Sequence, residues 1–261
     1  MLLKIRNLGI AYGRNPPAVR GVSFDLEAGE VLAIVGESGS GKTTVIRSIQ
    51  HILPGNGHIA EGQVFFEGKD TQEQSPAKHR ALSGKEIAMI FQDSGAMMNP
   101  IHSIGSQFRD YLVLHGMKDP QEVRERMLSM LKMVRLSDPE RVLAGYPFEL
   151  SGGMRQRVGI AMAMALQPKL LLADEPTSAL DVTTQAQIVK EMMNAARSMN
   201  TAIIIVTHNL GVAAYMADRI LVMKDGMPME YGPAEEIIRH PRTEYTRMLI
   251  ASVPGSGGAV N

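Results

Sequence analysis

Val31-Leu32-Ala33-Ile34-Val35-Gly36-Glu37-Ser38-Gly39-Ser40-Gly41-Lys42-Thr43-Thr44-Val45-Ile46 is the stretch that decides how this chain is read. The first five residues are apolar and rich in β-branched side chains, which suits a short buried strand; after Thr43, Val45, Ile46, Ile49, Ile52 and Leu53 recur at helical spacing. Between strand and helix, Gly36, Gly41 and Lys42-Thr43 have the G-x-x-x-x-G-K-T spacing of a phosphate-cradling loop. Glycines let successive backbone N–H groups turn inward around phosphate oxygens, and the helix N-terminus adds partial positive charge. Lys42 is expected to reach the β- and γ-phosphates of a nucleotide, and the Thr43 hydroxyl to ligate Mg²⁺.

Working outward, Leu170-Leu171-Leu172-Ala173-Asp174-Glu175 is a second strand-sized apolar run, ending in two carboxylates. A carboxylate at a strand's C-terminal end, downstream of a phosphate loop, can hold Mg²⁺, and Asp174 fits that role. Because side chains alternate along a strand, Glu175 is expected to face away from the metal ligand and toward the attacking water, as general base or water-positioning group. Leu150-Ser151-Gly152-Gly153-Met154-Arg155-Gln156 leads into a helical stretch from Met154 to about Leu166, so Ser151, Gly152 and Gly153 form a second helix start suited to an anion.

Together these motifs resemble the ATP-binding subunit of an ABC transporter, over nearly the whole chain. The resemblance implies the following roles. Tyr12 stacks on adenine; Gly36, Glu37, Ser38, Gly39, Ser40, Gly41, Lys42, Thr43 and Thr44 form the Walker A loop and its helix start. Gln92 is the Q-loop glutamine, Asp174-Glu175 the Walker B pair, Ser178-Ala179-Leu180-Asp181 the D-loop and His208 the switch histidine. Ser151, Gly152, Gly153 and Gln156 belong to the signature, which meets the ATP of another subunit, and Asp181 also lines the nucleotide. Catalysis then falls to Glu175, His208, Gln92 and Lys42, and Mg²⁺ to Thr43, Gln92 and Asp174.

The implied fold is α/β: a P-loop NTPase, ABC-type nucleotide-binding domain over residues 1–254, with an antiparallel β region and an inserted helical subdomain at about 93–167. The residues agree with that alternation. Strand-like segments at 2–10, 22–26 and 64–67 surround the nucleotide loop, and 202–207 and 219–223 return the chain to strands after the helical part. Asp119-Pro120 is a helix start, followed by Glu122 and Arg126 four apart on the polar face. Met127, Met130 and Met133 recur beside Val123, Leu131 and Val134, and Ile188, Met192, Ala196 and Met199 form a stripe on the helix after Asp181; both patterns read as core. Residues 255–261, small and glycine-rich, are expected to form a flexible tail.

Composition narrows the function classes. Lys+Arg and Asp+Glu both number 27, so the formal net charge is zero and no basic excess points to nucleic acid. Apolar runs are strand-sized, and the opening segment is strand-like with charges inside it, which speaks against a membrane span or signal peptide. With no cysteine, the chain has no disulfide or thiolate metal site.

Within the family, Asn99-Pro100, Tyr146-Pro147 and His240-Pro241 followed by Tyr245-Thr246 and Leu249 resemble the ATPases of peptide and nickel importers. Ser94-Gly95-Ala96-Met97-Met98 departs from the usual pattern there, and the short, cysteine-free C-terminus tilts the reading toward nickel or a metal chelate. The implied cofactors are ATP and Mg²⁺. The implied partners are a second, non-identical ABC ATPase arranged head to tail, two membrane permeases and an extracytoplasmic solute-binding protein, with the chain peripheral on the cytoplasmic face of the inner membrane. The segment 92–105 is expected to meet a permease helix, with Met97, Met98 and Ile101 as contact or as core. The alternative is a soluble ABC-type ATPase not coupled to transport.

Overall fold

A computed structural model describes residues 1–178 and 180–252, and the backbone forms two compact units, Met1–Arg80 with Ala202–Asn261, and Ala81–Thr201. The 255–261 tail lies outside the described residues.

In the first unit, Leu3–Tyr12 (β1), Val19–Leu26 (β2), Gly57–Phe66 (β4) and Lys69–Asp70 (β5) make an antiparallel sheet in the order β2-β1-β4-β5. The second set of strands is built on Val31–Val35 (β3), buried along its full length, as is Ala202–Thr207 (β8). Such unbroken apolar runs are what parallel strands covered on both faces require. β3 pairs in parallel with β8, Val35 opposite Thr207, and with Arg219–Lys224 (β9), Val35 opposite Val222. Met227–Pro233 (β10) then returns antiparallel on β9. This register sets the C-terminal ends of β3, β8 and β9 side by side, the edge where open α/β sheets bind ligands. Around these strands lie Lys42–Ile49 (α1), Leu210–Met216 (α8), Ala234–Arg239 (α9) and Glu244–Ala251 (α10).

The largest boundary differences from the sequence expectation are at α1 and β4. α1 stops at Ile49, so Ile52 and Leu53 lie beyond it: His51 adopts a left-handed φ of 56°, ending the helix, and Ile52 is exposed. β4 begins at Gly57, well before 64, because pairing with β1 carries an otherwise polar segment into the sheet.

Pro76–Leu82 (α2) leads into the second unit, where Ile87–Ile90 (β6) pairs in parallel with the fully buried Leu170–Asp174 (β7), Ile90 opposite Ala173. The remainder is helical: Ile104–Leu114 (α3), Pro120–Met133 (α4), Pro139–Ala144 (α5), Gly152–Met164 (α6) and Val182–Met199 (α7). Asp119 caps α4 by accepting the Gln121 N–H, as its position before Pro120 suggests. Met127 and Met130 enter the core with Val123, Leu131 and Val134, as do Ile188, Met192 and Ala196; Met133 and Met199, each at the last position of its helix, are only half-buried.

Candidate nucleotide site

The loop after β3 winds around its own lysine. Lys42 Nζ donates to the carbonyls of Gly36 (2.8 Å) and Glu37 (2.7 Å) and to Ser40 Oγ (3.4 Å), and Lys42 is only 4% exposed. The glycines are needed for different reasons. A Cβ on Gly36 would stand 2.1 Å from Met223 O, and one on Gly41, whose φ is 93°, 2.8 Å from a Val19 methyl. Gly39, with φ of 81°, has nothing within 4 Å of that position, so here the backbone can be approached from outside. Gly41 is the N-cap of α1 in a left-handed conformation and, being glycine, contributes no side-chain cap of its own. Glu37, Ser38 and Gly39 are exposed, whereas Ser40 is buried. A loop with its walls fixed by β9 and β2, and a helix start without a side-chain cap, fits a phosphate chain.

Two more of the sequence candidates lie in this unit. Tyr12 ends β1 with its hydroxyl 3.5 Å from Thr44 Oγ1, in the first turn of α1, and its ring lies against Gly57, where a Cβ would stand 2.8 Å from Tyr12 Cε1. The pairing of β1 with α1 thus brings the aromatic ring and the loop's helix together. His208 is exposed and follows Thr207 at the end of β8, the strand paired with β3. Asn209 Oδ1 caps α8 by accepting the Gly211 and Val212 N–H groups, so the chain turns sharply at the histidine.

In the second unit, Asp174 is the buried last residue of β7. Glu175 lies beyond the strand with φ of 44°, so its direction follows from a left-handed backbone and not from strand alternation as expected. Its carbonyl accepts from Ser178 Oγ (3.2 Å) and from Ser178 N. Ser178 Oγ in turn accepts from Gln92 Nε2 at 3.1 Å. Gln92 and the turn after β7 are therefore joined through Ser178, which had no individual role in the sequence expectation beyond its place in the expected D-loop. Gln185 steadies the same turn by donating to the carbonyls of Thr177 (2.7 Å) and Leu180 (3.0 Å). Asp181 caps α7, and hydrogen bonds from Thr184 hold its carboxyl below the usual range. The hydroxyl of Thr43, the amide of Gln92 and the carboxylate of Asp174 are all hard oxygen donors, the type that suits Mg²⁺.

The signature begins α6. Ser151 Oγ accepts the Met154 N–H at 3.3 Å, which starts the helix two residues before Met154. Ser151 and Gly152 are exposed, and a Cβ on Gly153 would stand 3.1 Å from Thr184 Cγ2 of α7. Gln156, expected at the nucleotide, points inward: it is 5% exposed and its buried Nε2 has no hydrogen-bond partner among the described residues. The loop after Gln92 separates the two adjacent methionines. Met97 is 63% exposed and Ile101 77%, while Met98 is buried. Gln107 pins this loop from α3, accepting the Asn99 N–H at 2.8 Å and donating to the carbonyls of Asn99 and His102.

A phosphate loop beside a parallel strand, with a carboxylate-ended strand and a signature helix, defines the class. The model of the ABC transporter family matches residues 19–178, and the chain belongs to that family, as an ATP-hydrolysing cassette of the α/β P-loop NTPase type. Among similar proteins, the oligopeptide transport ATP-binding protein OppD of Bacillus subtilis is 45% identical over 97% of this chain and 72% of its own length. The dipeptide transport ATP-binding protein DppD of the same organism is 43% identical over 97% of this chain and 77% of its own. Among solved structures, the ATP-binding cassette MJ0796, in a dimeric post-hydrolysis state bound to ADP and Pi, superposes with a TM-score of 0.78 at 29% identity, covering 89% of this chain and 99% of that one. The cbiO1 protein of Clostridium perfringens, part of the ABC transporter complex cbiONQ, gives 0.78 at 28% identity, with 90% of each chain covered.

Proposed function

We propose that this chain is the ATP-hydrolysing subunit of an ABC importer that powers uptake of peptides through two separate membrane permeases. The observation that carries the reading is the similarity to oligopeptide and dipeptide transport ATP-binding proteins, at 45% and 43% identity over 97% of the chain. These relatives favour peptides over nickel or a metal chelate, and a transport role over a free-standing ATPase. Residues 1–254 then act as one ABC ATPase domain with a helical subdomain at about 93–167.

In this reading the Walker A loop from Gly36 to Thr44 takes the phosphates of ATP, with Tyr12 on the adenine. Lys42 exchanges its carbonyl partners for phosphate oxygens; Thr43, Gln92 and Asp174 would hold Mg²⁺, which would supply charge to offset that of the phosphates. Glu175 orients and deprotonates the water that attacks the γ-phosphorus, and His208 contacts the γ-phosphate. Ser151, Gly152 and Gly153 face a nucleotide held by a second, non-identical subunit. The exposure of Ser151 and Gly152 at the start of α6 supports an intermolecular role. The exposed Met97 and Ile101 contact a permease helix, so that movement about Gln92 is passed to the membrane subunits. No helix among the described residues is long and apolar enough to cross a membrane. In this reading the chain sits on the cytoplasmic face of the membrane, and an extracytoplasmic binding protein delivers the cargo.

The test is uptake by the complete transporter in sealed vesicles, with labelled dipeptides, oligopeptides and nickel chelates offered separately. ATP-dependent accumulation of peptide is the expected outcome. Accumulation of the chelate alone, or ATP hydrolysis unaffected by the permeases, would defeat the assignment.

A further inference from the structure

The sequence motif around Tyr245, which marks a subfamily but has no part in the scheme above, touches the phosphate loop. The Glu37 N–H donates to Tyr245 Oη at 3.2 Å across 208 residues of sequence. That N–H belongs to the same peptide unit as the Gly36 carbonyl, which accepts from Lys42 Nζ at 2.8 Å. In a trans peptide the carbonyl and N–H point in opposite directions, so the unit is held at both ends: by the lysine inside the loop and by the tyrosine outside it. The Gly36 backbone, against Met223 O, has no room to shift toward β9.

Tyr245 is itself held in place. It is 7% exposed, and Lys224 Nζ lies 4.9 Å from its ring centroid. The start of α10 is tied to β10 through the buried Glu230, whose carboxylate accepts the Arg242 N–H (2.8 Å), the Thr243 N–H (3.3 Å) and the Thr243 hydroxyl (3.3 Å). Burial alone would push the Glu230 carboxyl up, but these bonds and Thr246 bring it below its ordinary range, so it acts as a charged anchor. Strand β10, helix α10 and the Walker A loop thus form one connected set of contacts.

We infer that Tyr245 is a positioning residue for ATP: its hydroxyl fixes the Gly36–Glu37 peptide and thereby sets where Lys42 is presented to the phosphates. Without the hydroxyl the peptide is free to rotate, the Gly36 carbonyl leaves the ammonium, and nucleotide must reorder the loop on binding. The inference rests on the ATPase reading.

Tyr245→Phe in the full chain tests it, because the ring, its packing and the Lys224 contact remain. MgATP affinity is expected to fall about three- to tenfold, the effect of one net hydrogen bond, and the KM for ATP to rise more than kcat falls. Amide exchange at Glu37 should quicken while the β3 amides keep their rates. A wild-type chain that fails to bind MgATP strikes the ATPase reading, and the clamp falls with it. If wild type binds, the clamp alone is overturned by affinity within twofold, by unchanged exchange at Glu37, or by exchange that rises uniformly through the unit.

Discussion

The chain carries two helix starts suited to an anion, and they are built in opposite ways. α1 begins at Gly41, left-handed and without a side-chain cap, beside a buried lysine held by its own loop. α6 begins at Ser151, whose hydroxyl already accepts an N–H of the first turn, on an exposed surface with no lysine in the motif. The first places a buried lysine beside the helix start, the arrangement the proposed phosphate site needs. The second offers only backbone dipole and a hydroxyl, so it adds to a nucleotide bound mainly by something else. Under the proposed reading, that difference in local chemistry would let the chain hold ATP firmly at the first motif and contact it more weakly with the second.

The sharpest way to break this contrast is to damage each start separately. Lys42→Ala is expected to weaken MgATP binding about 10–100-fold or more, since charge-assisted bonds are among the strongest. Glu175→Gln should bind normally yet hydrolyse about 10²–10⁴-fold more slowly. Ser151→Ala should leave binding by the isolated subunit within about twofold and lower turnover only in the assembled pair. Titration of nucleotide into each variant, followed by single-turnover hydrolysis, checks all three. Equal loss of binding in the Lys42 and Ser151 variants would erase the distinction between the two starts.

A second comparison, between neighbouring methionines, sharpens what the second unit does. Met98→Glu places a charge in the core and should destabilise the fold by about 2–4 kcal/mol. Met97→Glu, at an exposed site, should change stability by less than about 0.5 kcal/mol while uncoupling transport from hydrolysis. Denaturant melts and vesicle uptake on the two variants separate core from contact; a stable Met98→Glu chain would contradict the burial assigned to it.

The smallest expected effect is a difference between the units in acid. In the first unit, His51 is depressed to about 4, by burial and then by the stacked His79, against a weaker upward pull from Asp70. Its neutral form is favoured by folding, so its stabilising contribution is complete above 6.5 and is lost as pH falls from 6.5 toward 4. After allowance for partial exposure this amounts to on the order of 1–2 kcal/mol. In the second unit, burial raises the Glu191 carboxyl despite Arg157, 3.1 Å away, and Arg135. Its contribution has the other sign, present below the unfolded carboxyl range and lost as pH rises through the folded value. Exchange measured for each unit between pH 4 and 7, corrected for intrinsic rates, should show the first unit weakening in acid more than the second. His51→Gln should remove much of that difference, and a difference unchanged by it would exclude His51 as the cause.

The local elements that carry the candidate nucleotide residues were legible in sequence because they are short. A buried parallel strand needs an unbroken apolar run, a phosphate loop needs glycines and a lysine at fixed spacing, and helix caps such as Ser151, Asp119 and Asp181 act on residues two or three positions away. What exceeded that range was misread or left without a role. The end of α1 depends on a left-handed residue that no apolar pattern reports, and Glu175 turns on a backbone angle beyond the strand.

The sequence by itself determined the family, the α/β P-loop class and the ATP chemistry. Tertiary structure alone decided that Gln156 points inward, that Met97 and Met98 part company, that Gln92 meets Ser178 across 86 residues and that Tyr245 meets Glu37 across 208. The reason is one of range. Spacing and propensity describe what neighbours along the chain do to one another, whereas a hydrogen bond between distant residues depends on which strands and helices pack together, and no local pattern carries that information.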